Sequence, residues 1–271
     1  MDTARWRRTA ADCANAAMLA ATLALLAGFF GSFHPALDSF AHFRVHLAVA
    51  AALLALPLLA TRHRLLAGSV IVFAAVAFST ASGALGFLGL GRVQAGPGIA
   101  PADRATYRLL QMNLLFNNPT PEKVLSLIGR VQPDVLSLSE VSPAWKEKLK
   151  LLDGAYPYGS FCTYADTRYG VAVLSRRPFV EGGKPACHPL VSLTMASVDF
   201  SGSKVDIAAL HLGWPWPLPQ FRQISQMSGP LSTLADNAIL AGDLNAAPWS
   251  AAASRLAAAG GLNLLTSPGP T

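Results

Sequence analysis

A short apolar segment delivers a carboxylate and a carboxamide two residues apart. The segment, Asn-Ala-Ile-Leu-Ala-Gly at residues 237–242, is followed by Asp243 and Asn245. Its aliphatic composition predicts a buried strand. Alternate residues of an extended chain share one face, so we expect both side chains to point into the same space at the end of the strand. An acid and an amide at such a tip suit a polar active site, although both residues also favour ordinary turns.

Three other predicted strands also end in a polar residue. Residues 107–113 end on Asn113 and residues 135–140 end on Glu140. The strand predicted at 205–212 carries His211 in its last two residues. Each residue has an ordinary explanation by itself, as a turn former, an acid at a helix start and a surface imidazole. Several strands that each deliver one polar group at one end nevertheless predict a convergent site.

Further helices and strands would build the scaffold around these tips. Helical spacing covers residues 121–131, 143–151, 219–234 and 249–259, with Thr120 as a candidate N-cap for the first helix. Apolar residues at 170–175 and 193–200 predict two more strands. Ser201-Gly202-Ser203 would join the strand at 193–200 to the next strand as a hairpin.

Five segments together resemble the endonuclease/exonuclease/phosphatase superfamily. They are Met-Asn ending at Asn113, Pro-Asp-Val-Leu-Ser-Leu-Ser-Glu ending at Glu140, Tyr-Gly-Val-Ala-Val-Leu-Ser-Arg at residues 169–176, His-Leu at His211, and Ala-Gly-Asp-Leu-Asn ending at Asn245. The superfamily includes DNase I, abasic-site endonucleases, inositol-polyphosphate phosphatases and sphingomyelinases. The resemblance extends from about Tyr107 to the C-terminus. The whole chain is similar to bacterial members that carry several N-terminal membrane spans.

The resemblance implies a DNase I-like, four-layer α/β sandwich with two packed sheets, helices outside and the site at one end of the sheets. It also implies a metal-dependent phosphoester hydrolase of the phosphodiesterase or phosphatase type. Glu140 and Asn113 would match the site of a divalent cation, Mg²⁺ or Mn²⁺, which hard oxygen ligands suit. Asp243 would orient or deprotonate the attacking water, and Asn245 would position the phosphate or that water. His211 would donate to a phosphoryl oxygen as charge develops.

The chain departs from the superfamily at the C-terminal signature. The family pattern places an Asp-His pair after a further strand, and its histidine completes the catalytic set. No Asp, Glu or His follows Asn245 in this chain. We therefore expect either a fragment of a longer protein, which is the favoured interpretation, or a catalytically inactive member. In both cases we expect little or no hydrolysis by these 271 residues.

Composition divides the chain into two halves. Hydrophobic residues make up 52% of the chain and charged residues 13%, and residues 14–90 are almost free of Asp and Glu. We predict a membrane region at residues 1–95, a Gly- and Pro-containing linker at 96–105, and a C-terminally incomplete catalytic domain at 106–271. Residues 1–99 carry a net charge of +4 and the remainder only +2. A nearly neutral domain disfavours a nucleic-acid groove.

Three apolar segments, at about residues 16–33, 45–60 and 65–90, approach or exceed the length that spans a bilayer as a helix. The first could alternatively be a signal peptide. Arginines at residues 5–8 and 62–64 predict that both of these stretches stay in the cytoplasm. Three spans then place the catalytic domain outside the cytoplasm, on a multi-pass protein of the cell (inner) membrane. Loss of the short second span, which contains His46 and Pro57, would reverse this orientation.

Two cysteines flank the predicted strand at 170–175. In a domain outside the cytoplasm, Cys162 and Cys187 could oxidise to a disulfide across neighbouring strands or loops. The alternative is a pair of buried thiols. Of these, the disulfide is the favoured prediction, on condition that the predicted topology holds.

Trp214 and Trp216 lie in a proline-rich loop directly after His211. Tryptophan suits the headgroup zone, so this loop is a candidate substrate-binding element that rests on the bilayer and admits a lipid-linked phosphate. Packing of both rings against the domain is the plainer alternative. The expected partners are therefore the bilayer and a phosphoester, with nucleic acid disfavoured and no protein partner indicated. Two other functions stay open: a nuclease of the same superfamily, and a catalytically dead binding protein if the C-terminus is genuine.

Overall fold

The computed structural model describes residues 3–82, 105–164 and 169–265. The described N-terminal region forms the helices α1 (Thr3–Ala27), α2 (Pro35–Ala41), α3 (Arg44–Ala55) and α4 (Arg64–Ser82). A 3₁₀ turn at Leu56–Ala60 extends α3. The predicted linker at 96–105 lies outside the described residues except for its last residue, and so does the end of the third apolar segment.

Two of these helices are long and apolar enough to cross a membrane, and a bent pair could form a third span. Arg8–Ala27 and Arg64–Ala81 each meet this criterion alone. Pro35–Ala41 and Arg44–Ala60 meet it only together, with a bend of 67° between them. The α-helical part of the second segment ends at Ala55, because Pro57 lacks the N–H group that would continue the helix.

Small residues bring the N-terminal helices close together. α1 ends at Ala27, earlier than the first predicted span, and Gly28 follows at a point where a side chain would collide with the backbone of Ala41. α1 and α4 both pack on α3, where Ala51 and Ala67 are buried in the shared core. Small side chains at such contacts let helix backbones approach closely, which is the usual basis of helix association in a membrane.

The first sheet lies between a helix layer and the second sheet. It contains β1 (Leu109–Asn113), β2 (Val135–Val141), β3 (Tyr158–Thr163) and β4 (Gly170–Ser175), in the order β1-β2-β4-β3. β1 and β2 run parallel, and β4 is antiparallel to both of its neighbours. Helices α5 (Pro121–Val131) and α6 (Pro143–Leu149) cover the outer face, where Ile128 and Trp145 are buried with Leu138. Thr120 precedes α5 as predicted, but its side chain makes no capping hydrogen bond.

The second sheet keeps its strands in sequence order. It contains β5 (Ala186–His188), β6 (Leu193–Phe200), β7 (Ser203–His211) and β8 (Ala238–Asp243). The predicted hairpin joins β6 to β7, and β7 pairs in parallel with β8. Helices α7 (Gln220–Leu231) and α8 (Ala251–Ala259) cover the outer face. α7 ends before the predicted residue 234, since Pro230 lies in its last turn.

The two sheets pack face to face, so the domain is the four-layer α/β sandwich that the sequence predicts. Buried aliphatic side chains of both sheets fill the space between them, including those of Val135, Val173, Val198 and Ile207. The serines of β2 also face this space. Ser137 Oγ donates to the carbonyl of Ala241 at 2.7 Å, and Ser139 Oγ donates to the carbonyl of Leu210 at 3.2 Å. These bonds satisfy buried hydroxyls and tie the two sheets together.

A disulfide joins the outer edges of the two sheets. It links Cys162 of β3 to Cys187 of β5, with 5.2 Å between the Cα atoms. Each strand is the edge strand of its sheet at this side of the sandwich. Neither strand was predicted from the sequence, because neither contains the aliphatic run that marks the central strands. The cysteine of the membrane region, Cys13, is exposed and free.

Candidate active site

Four strands end at the same edge of the sandwich. β1 and β2 run parallel in the first sheet, and β7 and β8 run parallel in the second. Asn113 and Glu140 lie at the ends of β1 and β2, while His211 and Asp243 are register partners at the ends of β7 and β8. Side-chain contacts bring these four residues and Asn245 into one cluster.

Glu140 reaches this edge through a β-bulge. The register between β2 and β4 shifts between Ser139 and Val141, and Glu140 has a positive φ of 58°. Leu138 and Val141 both lie in the core beneath the helices, where strict alternation would have placed Glu140 instead of Val141. The bulge turns the carboxylate out of that core. A left-handed conformation at a non-glycine residue costs about 1–3 kcal/mol, which the contacts of the site must offset.

The amide of Asn113 lies between two carboxylates. Its Nδ2 donates to Glu140 Oε1 at 2.9 Å and to Asp243 Oδ2 at 2.8 Å. Its Oδ1 accepts from the backbone N of Leu115 at 2.9 Å. The second oxygen of Glu140 accepts from the backbone N of Phe116 at 3.0 Å. One amide nitrogen therefore connects the two sheets and holds both acids within reach of one small ligand.

Asp243 and Asn245 come together through a turn. β8 ends at Asp243, and Asn245 has a left-handed φ of 42°. Asp243 Oδ1 accepts from the backbone N of Asn245 at 3.0 Å, which is the pattern of an Asx turn. Asn245 Nδ2 donates to the carbonyl of Leu212 at 2.7 Å and lies 3.5 Å from His211 Nε2. The extended geometry that predicted a shared face does not reach Asn245, and a local hydrogen bond keeps the pair together instead.

The imidazole of His211 faces both carboxylates. Its Nε2 lies 3.8 Å from Asp243 Oδ2 and 4.0 Å from Glu140 Oε1, and its side chain is only 11% exposed. These separations are too long for hydrogen bonds, but they place the ring nitrogen beside both acids. Gln223 Nε2 donates to the backbone O of His211 at 2.9 Å, which fastens the end of β7 to α7.

Tyr169 forms an aromatic wall beside these groups. Its ring centroid lies 5.9 Å from that of His211 and 5.5 Å from that of Phe116, on which it stacks. Burial raises the pKa of the Tyr169 hydroxyl, and the nearby negative charge of Glu140 raises this pKa further. The phenol therefore stays protonated into alkaline solution.

The donor set of this edge fits a hard divalent cation. Glu140 and Asp243 offer carboxylate oxygens on either side of the Asn113 amide. Mg²⁺ is usually held by one or two carboxylates together with water and substrate phosphate, rather than by a cage of protein ligands. Within the described residues, no group of three or more His, Cys, Asp and Glu side chains could form such a cage. Glu140 and Asp243 are thus the carboxylates that could hold a cation, and Asn113 could contribute only through Oδ1, which here accepts from the backbone N of Leu115.

Two glutamines that brace the site were not predicted from the sequence. Gln220 Nε2 donates to the carbonyls of Gly213, Leu244 and Asn245, at 3.0, 3.2 and 2.9 Å. Gln223 Oε1 accepts from the backbone N of Gly213 at 2.7 Å. Both glutamines are buried on the face of α7 that packs on the sheet. Two polar residues three positions apart on that otherwise apolar face are the signal that could have identified them.

Two glycines in the motif segments allow close contacts between strands. A side chain at Gly242, directly before Asp243, would collide with the carbonyl of Leu210 in β7. A side chain at Gly170 would collide with the carbonyl of Cys162 in β3. The glycines therefore keep β8 and β4 flush with their neighbours at the edge that carries the cluster.

The two tryptophans lie on the surface beside the membrane region. Trp214 is 67% exposed and Trp216 is 52% exposed. The ring centroid of Trp216 lies 6.5 Å from that of His34, and its backbone O accepts from Ser39 Oγ at 3.3 Å. The rings are therefore largely exposed, whereas the plainer alternative expected both of them to pack against the domain. Trp216 stands next to the loop that joins α1 to α3.

Comparison with known proteins identifies the family of the C-terminal half of the chain. Residues 110–271 match the profile of the Endonuclease/Exonuclease/phosphatase family. No curated protein matches the chain at a significant level.

Several solved structures are similar in fold. Humanized TDP2 of D. rerio has 24% identity and a TM-score of 0.44, over 58% of this chain and 67% of that chain. An endonuclease/exonuclease/phosphatase from Beutenbergia cavernae has 22% identity and a TM-score of 0.45, over 57% of this chain and 53% of that chain. Sphingomyelinase C from Streptomyces griseocarneus has 22% identity and a TM-score of 0.42, over 58% of this chain and 70% of that chain. This chain therefore spans about half to two thirds of the first two proteins. At such identities, the substrates of these proteins say nothing about the substrate here.

Proposed function

Because this chain belongs to the endonuclease/exonuclease/phosphatase family, we propose that it is a membrane-anchored, divalent-metal-dependent phosphoester hydrolase. The observation that carries the proposal is the bridge from Asn113, whose amide nitrogen joins Glu140 of one sheet to Asp243 of the other. His211 Nε2 lies within 4.0 Å of both acids. Such a set can place a nucleophile and offer donors to the charge that develops on a phosphoryl group.

The two acids would divide the work. Glu140 and Asn113 would hold the cation, Mg²⁺ or Mn²⁺, which when bound supplies countercharge to the phosphate oxygens. Asp243 would orient the attacking water and accept its proton. The backbone N of Asn245 fixes one oxygen of Asp243, and the other oxygen faces the Asn113 amide at the centre of the cluster. A carboxylate that is held at one oxygen is preorganised to position water at the other.

The remaining polar groups would act on the phosphate. His211 would donate from Nε2 to a phosphoryl oxygen, and its 11% exposure keeps competing bulk water away from the ring. Asn245 Nδ2 lies 3.5 Å from the same nitrogen and would position the same oxygen. Tyr169 would supply a neutral hydroxyl beside them, since burial and the charge of Glu140 raise its pKa.

The contact between the two halves supports an orientation for the membrane helices. α2 lies in the loop between α1 and α3, and its Asp38 accepts from the backbone N of Ala251 and of Ala252 in α8. That loop and the domain after α4 therefore lie on the same side of the membrane. At the opposite end of the bundle Arg62 donates to Asp12 at 2.7 Å, close to the arginines expected in the cytoplasm. Three crossings, with Arg44–Ala60 alone as a short second span, and a catalytic domain outside the cytoplasm would satisfy both conditions.

A lipid-linked phosphate or pyrophosphate is the substrate class that we favour. Trp214 and Trp216 are both exposed, and Trp216 lies beside His34, next to Phe33, which is 80% exposed. Aromatic side chains at this level favour the headgroup zone, where the phosphate of a lipid would meet the domain. The nearly balanced charge of the domain offers little attraction to a nucleic-acid backbone.

The test is the hydrolysis of a generic phosphodiester and of micellar lipid phosphates by the full chain, with and without Mg²⁺. We expect little or no turnover by these residues, and we expect whatever turnover is measured to require the cation and to disappear in Asp243→Ala. Asp153→Asn, on an exposed turn, is the matched control and should keep the wild-type rate. Robust turnover that survives Asp243→Ala would contradict both the function and the site. Preferential cleavage of nucleic acid would favour the nuclease alternative.

A further inference from the structure

We propose that α2 is a positioning element of the active site, so that the membrane region orders the catalytic loop as well as anchoring the domain. The catalytic loop comprises residues 244–252 and leads from Asp243, at the end of β8, into the first turn of α8. The positioning residues of α2 and its C-terminal end are Asp38 and His42. The kinetic consequence of this coupling rests on the proposed hydrolase activity, whereas its structural consequence does not.

Asp38 caps α8 from a distant part of the chain. Its side chain is buried, and its two carboxylate oxygens accept from the backbone N of Ala251 at 2.7 Å and of Ala252 at 2.8 Å. Ser250 Oγ accepts from the next backbone N, that of Ala253, at 3.2 Å. Three of the first backbone N–H groups of α8, which a helix cannot satisfy internally, are therefore satisfied by Ser250 and by α2. The negative charge of Asp38 is also favourable at the positive end of the helix dipole.

The sequence context of Asp38 agrees with a specific partner. It is the only acidic residue between positions 13 and 102. A buried carboxylate in so apolar a region is costly unless it is hydrogen-bonded, and its partners lie in α8, more than 200 positions later. Gly31 makes room for this arrangement, because a side chain there would collide with the carboxylate of Asp38.

Two more side chains of the domain fasten the same segment to the membrane region. Trp249 Nε1 donates to the carbonyl of Ala41, at the end of α2, at 2.7 Å. The guanidinium of Arg255 donates to the carbonyls of Gly31 and Ser32, at 3.1 and 2.8 Å. The contact therefore extends from the catalytic loop into α8.

His42 carries the contact to the catalytic cluster itself. Its Nε2 lies 3.3 Å from the backbone O of Asn245, and its Nδ1 lies 3.3 Å from the backbone O of Asp38. Gln220 Nε2 donates to the same Asn245 carbonyl at 2.9 Å from the side of the domain. The left-handed backbone of Asn245 is thus held between α7 and the membrane region. Such a conformation persists only where its surroundings fix it.

A shift of Asn245 would reach Asp243 directly. The backbone N of Asn245 donates to Asp243 Oδ1 at 3.0 Å, and the Asn245 side chain donates to the carbonyl of Leu212 beside His211. Loss of the His42 contact would therefore loosen the carboxylate that is proposed to orient water. A displacement of about 1 Å at such a group can cost about 100-fold in rate.

The experiment compares full-length variants in nanodiscs by hydrogen–deuterium exchange and by kinetics. His42→Ala and Asp38→Asn should exchange the amides of the catalytic loop about tenfold faster, because each loses hydrogen bonds to that segment. His46→Ala is the matched control, since His46 is an exposed histidine one helical turn later in α3. It should exchange like the wild type.

The kinetic measurement separates positioning from simple folding. His42→Ala should lower kcat about 10- to 100-fold with KM unchanged, and His42→Gln should restore part of kcat, because its amide N–H can again reach the Asn245 carbonyl. If the amides of the catalytic loop exchange at the same rate in His42→Ala as in His46→Ala, the positioning role of α2 is overturned. This holds whatever exchange rate Asp38→Asn shows. A rise in KM with an unchanged kcat would overturn the positioning role. If the wild type hydrolyses nothing, the hydrolase proposal fails, while the exchange measurement still decides on α2.

Discussion

Among the described residues of the N-terminal helical region, the polar contacts between different elements lie at the two ends of the helix bundle, whereas in the C-terminal domain they also run through the middle of the sandwich. Arg62 pairs with Asp12 at one end of the bundle, and Asp38 binds α8 at the other. In the domain, by contrast, Ser139 is buried between the sheets and donates to a carbonyl of the opposite sheet, that of Leu210. A membrane-spanning helix would satisfy its own backbone, so a buried carboxylate there needs hydrogen-bond donors from outside its own helix.

This difference changes what a polar residue indicates in each half. A serine inside the domain is explained by packing alone, so chemistry can be inferred there only from several groups that converge. A single acid in the membrane region already requires a specific partner, because an isolated buried charge is so costly. The cluster around Asn113 meets the first criterion, and Asp38 meets the second.

Glu140→Gln tests the first of these criteria, namely that the groups that converge around Asn113 carry out chemistry. The amide keeps the shape of Glu140 but removes the negative charge proposed to hold a cation. We expect turnover to fall by about 100-fold or more and Mn²⁺ binding, measured by electron paramagnetic resonance, to weaken in parallel. Glu147→Gln removes an exposed acid of α6 and should change neither quantity. Unaltered Mn²⁺ binding in Glu140→Gln would remove Glu140 from the cation site.

Reduction of the disulfide tests how far the stability of the domain depends on this one bond, which the helix bundle lacks. The bond from Cys162 to Cys187 closes a loop of 25 residues between the edges of the sheets. Its loss should lower the free energy of unfolding of the domain by about 3 kcal/mol in guanidinium titrations with and without reductant. Cys13→Ser, at the free thiol of α1, should leave the titration unchanged. A domain that is equally stable with and without reductant would show that the sheet edges do not depend on the bond.

Ser139→Ala tests whether the buried hydroxyls of the sandwich are structural. Ser139 Oγ donates to the carbonyl of Leu210, and the backbone N of Asp243 lies 3.4 Å from the same oxygen. Its removal leaves buried groups without that partner, so we expect a loss of about 1–3 kcal/mol in the free energy of unfolding. Ser225→Ala, on the exposed side of α7, should cost less than about 0.5 kcal/mol. Similar costs at both serines would contradict the proposed role of the hydroxyl between the sheets.

The aliphatic strands and the identity of the clustered side chains could be predicted from the sequence. Aliphatic runs mark β2, β4 and β8, and each predicted tip residue, such as Asn113 or His211, follows its run directly. The parallel pairing of β7 with β8 then brings His211 level with Asp243. Local pattern suffices here because the strand period and the strand end lie within a few residues of each other.

Features that depend on distant contacts could not be predicted in this way. The bulge at Glu140 has no signature in its own segment, and it is visible only in the shifted register against β4. The edge strand β3 contains aromatic and small residues but no aliphatic run, and it owes its place to pairing with β4. α2 is only seven residues long, and the partners of Asp38 lie in the other half of the chain. Each of these features is decided by tertiary structure rather than by local preference.

The smallest expected effect distinguishes a tyrosine of the site from a tyrosine of the core. Burial raises the pKa of Tyr169 above the usual 10.0, with a further contribution from Glu140, and burial also raises the pKa of Tyr156, whose hydroxyl donates to the carbonyl of Pro133. Above pH 10 an unfolded chain loses these phenolic protons before the folded protein does. The stabilisation is therefore complete below about pH 10 and is lost as the pH rises through the raised pKa values.

Either Tyr169→Phe or Tyr156→Phe should accordingly make the free energy of unfolding fall less steeply above pH 10 in denaturant titrations. Only Tyr169→Phe should also change the alkaline limb of the pH–rate profile, because only Tyr169 contacts the ring of His211. If both variants alter that limb equally, its pH dependence reports the stability of the domain rather than the site. If neither variant alters it, the hydroxyl of Tyr169 takes no part in binding phosphate, and its ring serves only to pack against His211 and Phe116.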